Sequence, residues 1–446
     1  MKRLVLLMLM AGCSSSTPTS TAPATGSLSV TVTAPVATVT GLTVTGPNGY
    51  TKSITATTQL AGLAPGSYAI TAQSFTTADP IVATAYQATV TGSPATVSAG
   101  GTATSTVSYA TRPGSGALWV VGGIDVGSNV QNTAIEYTVS QLQASSSVAP
   151  AATLTFPVTT GRNIDANGVA FDPQGNMWVV NDNSNTVVEY TPSQLGANGS
   201  PTPAVTIHLP DSSYTDGLAL DANGDLWVAL QDPSIVVEFT PDQLKTSGTP
   251  TPAVTITVKA GPPGQPAQPA FPLAITFDAQ GSLWVVNTDG YVIKYTASQI
   301  ASSGTPVPAV SLQLSVINPY FAAFDKAGNL WLADGAYAIA GNPTTYIAGP
   351  ITEYAAASLT ASGSVSPTRT LTLPTGKAVV FPAAIAFDAS GNLWYLDVFN
   401  ATLGEYTAAQ LAAGGNPSPA ITIINTTPVY GTGLAFNPSL VLLPSR

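Results

Sequence analysis

The chain has 446 residues, 8% of them charged and 44% hydrophobic, with 40 glycines, 37 prolines and a formal net charge of −10. That is too long for one ordinary core, too apolar for a disordered chain, and too acidic for a nucleic-acid surface, which needs a basic face. A single cysteine and a single histidine exclude an intrachain disulfide and thiolate or two-histidine metal sites, so stability must come from packing.

Residues 1–12 read as an export signal. Lys2 and Arg3 precede a short apolar run that cannot span a bilayer. The run ends in Met10-Ala11-Gly12-Cys13, and a Ser/Thr/Pro tract follows to residue 26. This resembles the lipobox of bacterial lipoproteins. The resemblance implies cleavage before Cys13, acylation of Cys13, and a membrane partner reached through the lipid. It implies a place in the cell envelope, at the outer membrane or cell surface, facing outside the cytoplasm. At about 0.8 kcal/mol per buried CH₂, two or three acyl chains would hold permanently. Residues 13–26 then form a flexible tether.

Residues 27–112 alternate apolar and polar side chains in runs such as SLSVTVTA and SYAITAQSF, separated by turn signals such as GPNG. This period of two predicts a small antiparallel β-sandwich. Leu60-Ala61-Gly62-Leu63-Ala64-Pro65-Gly66-Ser67-Tyr68 resembles the L-x-G-L-x-P-G-x-Y strand of carboxypeptidase-regulatory-like and Cna-B-like sandwiches. The resemblance implies a Pro-Gly reversal, an inward Tyr68 and a spacer role, with carbohydrate binding as the alternative. Residues 111–116 read as a linker.

From 116 to 446 one phrase recurs. Trp119, Trp178, Trp227, Trp284, Trp331 and Trp394 follow each other at intervals of 47 to 63 residues, each in a phrase like GNLWVV. Five follow an apolar strand and an Asp-x-x-Gly turn, at Asp172, Asp221, Asp278, Asp325 and Asp388. A third strand like VEYT and a fourth like AVTIHL come after each tryptophan. Four strands in each of six repeats predict an all-β, six-bladed β-propeller. The Trp119 repeat lacks its own inner strand, and residues 433–438 supply one, which closes the ring and removes bare sheet edges. The last seven residues have no assigned place. The tryptophans are expected to pack between blades and the aspartates to accept turn N–H groups, with glycine at positive φ. The Thr-x-x-Gln-Leu phrases at Thr191 and Thr240 read as caps on short helical turns. The repeats resemble NHL-type propellers and, more loosely, streptogramin lyases.

Strand alternation sorts the loops onto two faces. One face collects what does not repeat: residues 181–186, 231–234, 287–290, 335–349 and 397–400, with the Pro-rich loop 260–272. Variable loops on a rigid frame are where a site is expected. The candidate contacts are Asn181, Asp182, Asn183, Asp289, Tyr320, Tyr337 and Tyr346, rings to stack on sugars and polar groups to bond hydroxyls. The expected function is non-enzymatic binding of a protein, a glycan or a small ligand, with a docking scaffold in an envelope complex as one alternative. No catalytic residue is assigned.

The inner strands are expected to start beside Asn167, Asp216, Leu273, Tyr320, Ala383 and Thr432. Asn167-Gly168 and Asp216-Gly217 resemble positions in gluconolactonase/regucalcin-type propellers. That resemblance implies a divalent metal, Ca²⁺ or Mg²⁺, held by Asn167 and Asp216, and a lactonase-like hydrolase with Asp216 doubling as base. The family's third ligand is a glutamate, and its place here falls to Tyr320. The lone His208 lies in an outer strand, away from where a streptogramin-lyase base would stand, and no Gly-rich phosphate loop opens a helix.

Overall fold

Short apolar runs broken by Asp-x-x-Gly turns leave little room for helix, and the computed structural model is nearly all strand. It describes residues 24–34, 38–39, 41–73, 75–76, 85–111, 116–126, 129–156, 166–196, 198–210, 214–261, 268–315, 319–335, 337–339, 342–374, 380–426 and 429–438. Cys13 and its tether lie outside them. The chain divides into two compact units, residues 1–73 with 88–110, and 74–87 with 111–446.

The first unit holds two sheets. One places Gly26–Thr33 between Thr58–Leu63 and Thr102–Thr111, and the other places Leu42–Gly46 between Tyr50–Ile54 and Gly66–Ala72. Burial alternates along them, so Leu28, Val30, Leu60 and Val107 on one sheet and Val44, Tyr68, Ile70 and Val97 on the other build the core. Tyr68 points inward as predicted, and its hydroxyl donates to the Ala64 carbonyl at 3.0 Å. The expectation of antiparallel pairing throughout needs one correction. Gly26–Thr33 runs parallel to Thr102–Thr111, from Ser27 opposite Thr102 to Thr33 opposite Ser108. These are the first and last strands of the unit, and no hairpin dictates their relative direction.

The second unit is a six-bladed β-propeller. Its inner strands are Tyr430–Phe436 in blade 1, then Ala166–Phe171, Thr215–Leu220, Pro272–Phe277, Pro319–Phe324 and Pro382–Phe387 in blades 2 to 6. They neighbour one another in that order and back to the first, a closed ring. The second strands, which carry the tryptophans, are Leu118–Val126, Met177–Asn181, Leu226–Leu230, Leu283–Asn287, Leu330–Asp334 and Leu393–Asp397. A third and a fourth strand follow in each sheet, and in blades 4 and 6 a short fifth strand, Gly363–Val365 or Ser146–Val148, adds in parallel from the next blade. Blade 1 joins the two ends of the unit, with Trp119 opposite Ala435 and Leu118 opposite Phe436.

Each tryptophan faces the following blade. Trp119 meets Phe171 at 6.1 Å between ring centres, Trp227 meets Phe277 at 5.9 Å, Trp284 meets Phe324 at 5.5 Å, Trp331 meets Phe387 at 6.2 Å and Trp394 meets Phe436 at 6.4 Å. Trp178 shares its cluster with Leu220 of blade 3. Burying one such ring removes about 200 Å² from water, worth roughly 5 kcal/mol by area. Gly175, Gly224, Gly281, Gly328 and Gly391 sit at φ between 71° and 85°, as the Asp turns require.

A second device links neighbouring blades at their outer rims. A backbone N–H of each outer strand donates to a side chain of the next blade. The pairs are Thr153 to Asn198 Oδ1 at 2.7 Å, Thr206 to Ser247 Oγ at 3.0 Å and Thr255 to Ser303 Oγ at 3.0 Å. They continue with Ser311 to Ser362 Oγ at 2.9 Å, Thr372 to Asn416 Oδ1 at 2.8 Å and Thr422 to Ser145 Oγ at 3.0 Å. The last pair ties blade 6 to blade 1.

Candidate ligand-binding face

Strand alternation puts the ends of the second strands and the starts of the inner strands on one face. In blades 2 to 6 the second strand ends three residues past its tryptophan, at Asn181, Leu230, Asn287, Asp334 and Asp397. Opposite these, on the inner strands, stand Ala166, Thr215, Pro272, Pro319 and Pro382. Just before three of the five comes an aromatic residue. The carbonyls of Tyr214, Phe271 and Phe381 accept the N–H groups of Gln231, Thr288 and Val398 at 3.0, 3.1 and 3.1 Å. One repeat position in blades 3, 4 and 6 is therefore aromatic.

Tyr214 is 58% exposed, and Phe271 and Phe399 are each 48% exposed. Phe381 lies half-buried between two other rings. Tyr320 meets it edge-on at 5.0 Å and 72°, and Phe399 meets it at 5.3 Å. Gly335 packs on this group so closely that a Cβ there would lie 2.6 Å from Tyr320 Cδ2. Blades 3 to 6 thus present an arc of five aromatic side chains.

Beneath the arc lies a buried polar layer. Asp397 Oδ1 accepts the Phe381 N–H at 3.1 Å and its Oδ2 accepts from Asn400 Nδ2 at 2.5 Å, so this carboxylate positions the Phe381 backbone. Asn287 donates from Nδ2 to the carbonyls of Val285 and Tyr291. Asp334 Oδ2 accepts from the Thr352 hydroxyl at 2.8 Å, while its Oδ1 is buried without a hydrogen-bond partner. Burial pushes the Asp334 carboxyl up to about 7, against the pull of that Thr352 bond.

The sequence-derived contacts fall in several places. Asn181 is buried at the end of its strand, with Oδ1 unpartnered. Asp182 Oδ1 accepts the Thr215 N–H at 2.6 Å, which anchors the start of the next inner strand. Asp289 is exposed and accepts the Tyr291 N–H at 3.2 Å. Tyr320 belongs to the aromatic arc. Tyr337 and Tyr346 lie on the two strands of a ribbon, Tyr337–Ile339 and Asn342–Ile347. Their side chains, and those of Asn183 and Asp216, lie outside the described residues. Asn167 is half-buried. Among the described residues no three His, Cys, Asp or Glu side chains converge as metal ligands. Tyr320, at the third position of the suggested set, is packed on Phe381 and is not a carboxylate, so the residues described do not complete a cage for a divalent ion.

Tyr214, Phe271, Phe381 and Phe399 are missed by sequence reasoning. The register slips between Ala166 and Val169, Thr215 and Leu218, Pro272 and Ala274, Pro319 and Phe321, and Pro382 and Ala384. Each bulge adds a residue, and counting back from the Asp turn by twos loses the frame there. The usable signal was an aromatic directly ahead of a strand-opening Thr or Pro.

A family model described as SMP-30/Gluconolactonase/LRE-like region matches residues 151–266. No curated protein matches. Among solved structures, a streptogramin B lyase is similar at 16% identity over 61% of this chain and 76% of its own, with a TM-score of 0.39. A protein of unknown function from Bacteroides caccae is similar at 14% identity over 72% of this chain and 98% of its own, with a TM-score of 0.47. A chain of a nidogen/laminin complex is similar at 14% identity, over 72% and 99%, with a TM-score of 0.44.

Proposed function

We propose that the protein is a lipid-anchored envelope protein whose propeller binds a ligand non-enzymatically on its variable-loop face. The observation that carries this reading is the arc formed by Tyr214, Phe271, Tyr320, Phe381 and Phe399. Rings gathered on one face, Tyr214, Phe271 and Phe399 exposed and Tyr320 and Phe381 half-buried, favour stacking on the apolar face of a sugar or another flat ligand. Asp289 lies on the same face and can accept hydroxyl donors. The lipobox-like Met10-Ala11-Gly12-Cys13 supports the anchor.

A glycan array probed with the full chain should give saturable binding. Phe399→Ala with Tyr214→Ala should weaken it about tenfold or more, since aromatic anchors carry a large share of such affinity. An empty array, or binding indifferent to both substitutions, sinks the reading.

The family match favours a second reading, a metal-dependent lactonase-like hydrolase, because residues 151–266 include Asn167 and Asp216. The poor fit of Tyr320 as a third ligand counts against it. The two readings separate on calcium. An ion at 100 times its Kd adds about 2.7 kcal/mol of stability. A melting temperature indifferent to Ca²⁺ and Mg²⁺, and unchanged in Asp216→Ala, removes the hydrolase.

A further inference from the structure

The seam between blades 6 and 1 differs from the other five. Blade 1 draws its inner and second strands from opposite ends of the propeller's chain, so no Asp-x-x-Gly turn joins them. A cavity of about 480 Å³ opens beside this seam, on the face opposite the aromatic arc. Leu142 and Phe436 of blade 1 and Trp394, Ile421, Asp388 and Glu405 of blade 6 line it, and the Asp388 carboxylate also accepts the N–H groups of Ser390, Asn392 and Trp394.

Blades 4 and 5 place a cation at the corresponding position, whereas blades 1 to 3 have, as blade 6 does, a glutamate opposite the tryptophan and an aliphatic residue, Ala152, Val205 or Val254, opposite that glutamate. Glu405 stands opposite Trp394 as Lys294 stands opposite Trp284 in blade 4. Lys294 Nζ lies 2.9 Å from Asp278 Oδ2 and 5.1 Å from the centre of the Trp284 ring. Ile421 stands opposite Glu405 as Arg369 stands opposite Glu353 in blade 5. Arg369 Nε lies 3.4 Å from Glu353 Oε2, with its guanidinium 5.7 Å from the centre of the Trp331 ring. Two blades thus place a cation of the protein itself over the tryptophan and beside the acids. Blade 6 keeps the tryptophan and the aspartate, has a glutamate for the lysine and an isoleucine for the arginine. Burial, the Asp388 charge beside it and the opposing Asn392 bond leave the Glu405 carboxyl above its ordinary range.

We infer that this cavity binds a small organic cation, an amine or amidine on an apolar body, against Trp394, Asp388 and Glu405. Lys294 and Arg369 in blades 4 and 5 are the precedent for a cation beside this tryptophan and its acids. The apolar lining accommodates its body, and the two acids select its charge.

Isothermal titration of the full chain with benzamidine tests this, with benzyl alcohol as the uncharged counterpart. Benzamidine should bind one site, at least about tenfold tighter than benzyl alcohol. Glu405→Gln should weaken it about tenfold. Ile421→Arg, which transplants the arginine of blade 5, should abolish binding while the melting curve stays cooperative. Glu238→Gln in blade 3 should leave the affinity unchanged. No saturable heat up to about 10 mM, equal affinity for benzyl alcohol, or unchanged binding in a folded Ile421→Arg chain would overturn the inference.

Discussion

In blades 2 and 3 the residue opposite the tryptophan is Glu189 or Glu238. Burial, reinforced by the Asp172 charge, pushes the Glu189 carboxyl up to about 7. Burial, reinforced by Asp225 and Asp221, pushes Glu238 up to about 7 as well. An acid whose pKa rises on folding holds its proton more tightly in the folded chain. Its contribution is therefore complete below the unfolded value near 4.5 and is lost as the pH climbs through about 7. Asp334 shifts in the same direction. Asp278 goes the other way. Burial alone would raise it, but the bonds from Trp284 and Lys294 outweigh burial and hold it below the ordinary range. Its share fails only in stronger acid. The chain should melt at a higher temperature at about pH 5 than at about pH 8, and Glu189→Gln with Glu238→Gln should flatten that slope. Calorimetry across this window decides, and a wild-type melting temperature that does not fall with rising pH refutes the assignment.

The Asp turn is the element that every blade but one repeats. The carboxylate of each turn accepts the indole N–H of the tryptophan six residues on, at 3.4 Å for Asp172 and Asp221, 2.9 Å for Asp278, 3.0 Å for Asp325 and 3.3 Å for Asp388. Blade 1 has Asn437 at that position, and the Trp119 indole N–H is buried without a partner. Asp278 differs from Asp221 and Asp388 in its fourth partner, since it accepts the N–H groups of Gln280 and Ser282 as they accept theirs but also pairs with Lys294. Asp278→Ala should cost about 3–5 kcal/mol in denaturant melts, because it strands a part-buried cation. Asp221→Ala, with no cation to strand, should cost about 1–3 kcal/mol. Equal losses would contradict this account. The turns were legible in the sequence because Asp and Gly keep fixed places in them. The Trp-to-Asp bond was equally visible as a constant spacing of six, yet spacing alone does not say which side chains meet. The aromatic arc was hidden because the bulges break the period of two that locates the inner strands.

The ring as a whole was legible for a physical reason. Each blade must place one large ring against the next, and the tryptophan spacing therefore counts blades. The parallel pairing of Gly26–Thr33 was not legible, since no local turn governs it. Removing residues 430–446 should abolish the cooperative transition of the propeller and leave that of the N-terminal unit. Trp119 would lose its inner-strand neighbour and Trp394 would lose Phe436. At roughly 5 kcal/mol per exposed tryptophan, that loss consumes a net stability of about 5–15 kcal/mol. A truncated chain whose propeller tryptophans still report a cooperative melt would show that the ring survives open. The rim bonds carry a different consequence. The bond from Thr422 to Ser145 spans the chain's two ends, yet it is of the same kind as the bond from Thr206 to Ser247 inside the chain. Gly116 and Asn437 already lie within one hydrogen bond of each other, N–H to carbonyl at 2.7 Å. The polypeptide passes from each blade to the next at every seam, with Ile421–Asn425 of blade 6 leading into Tyr430–Phe436 of blade 1, so its one break falls inside blade 1, between Tyr430–Phe436 and Leu118–Val126. A circular permutant opened at any other rim would rebuild the same six contacts.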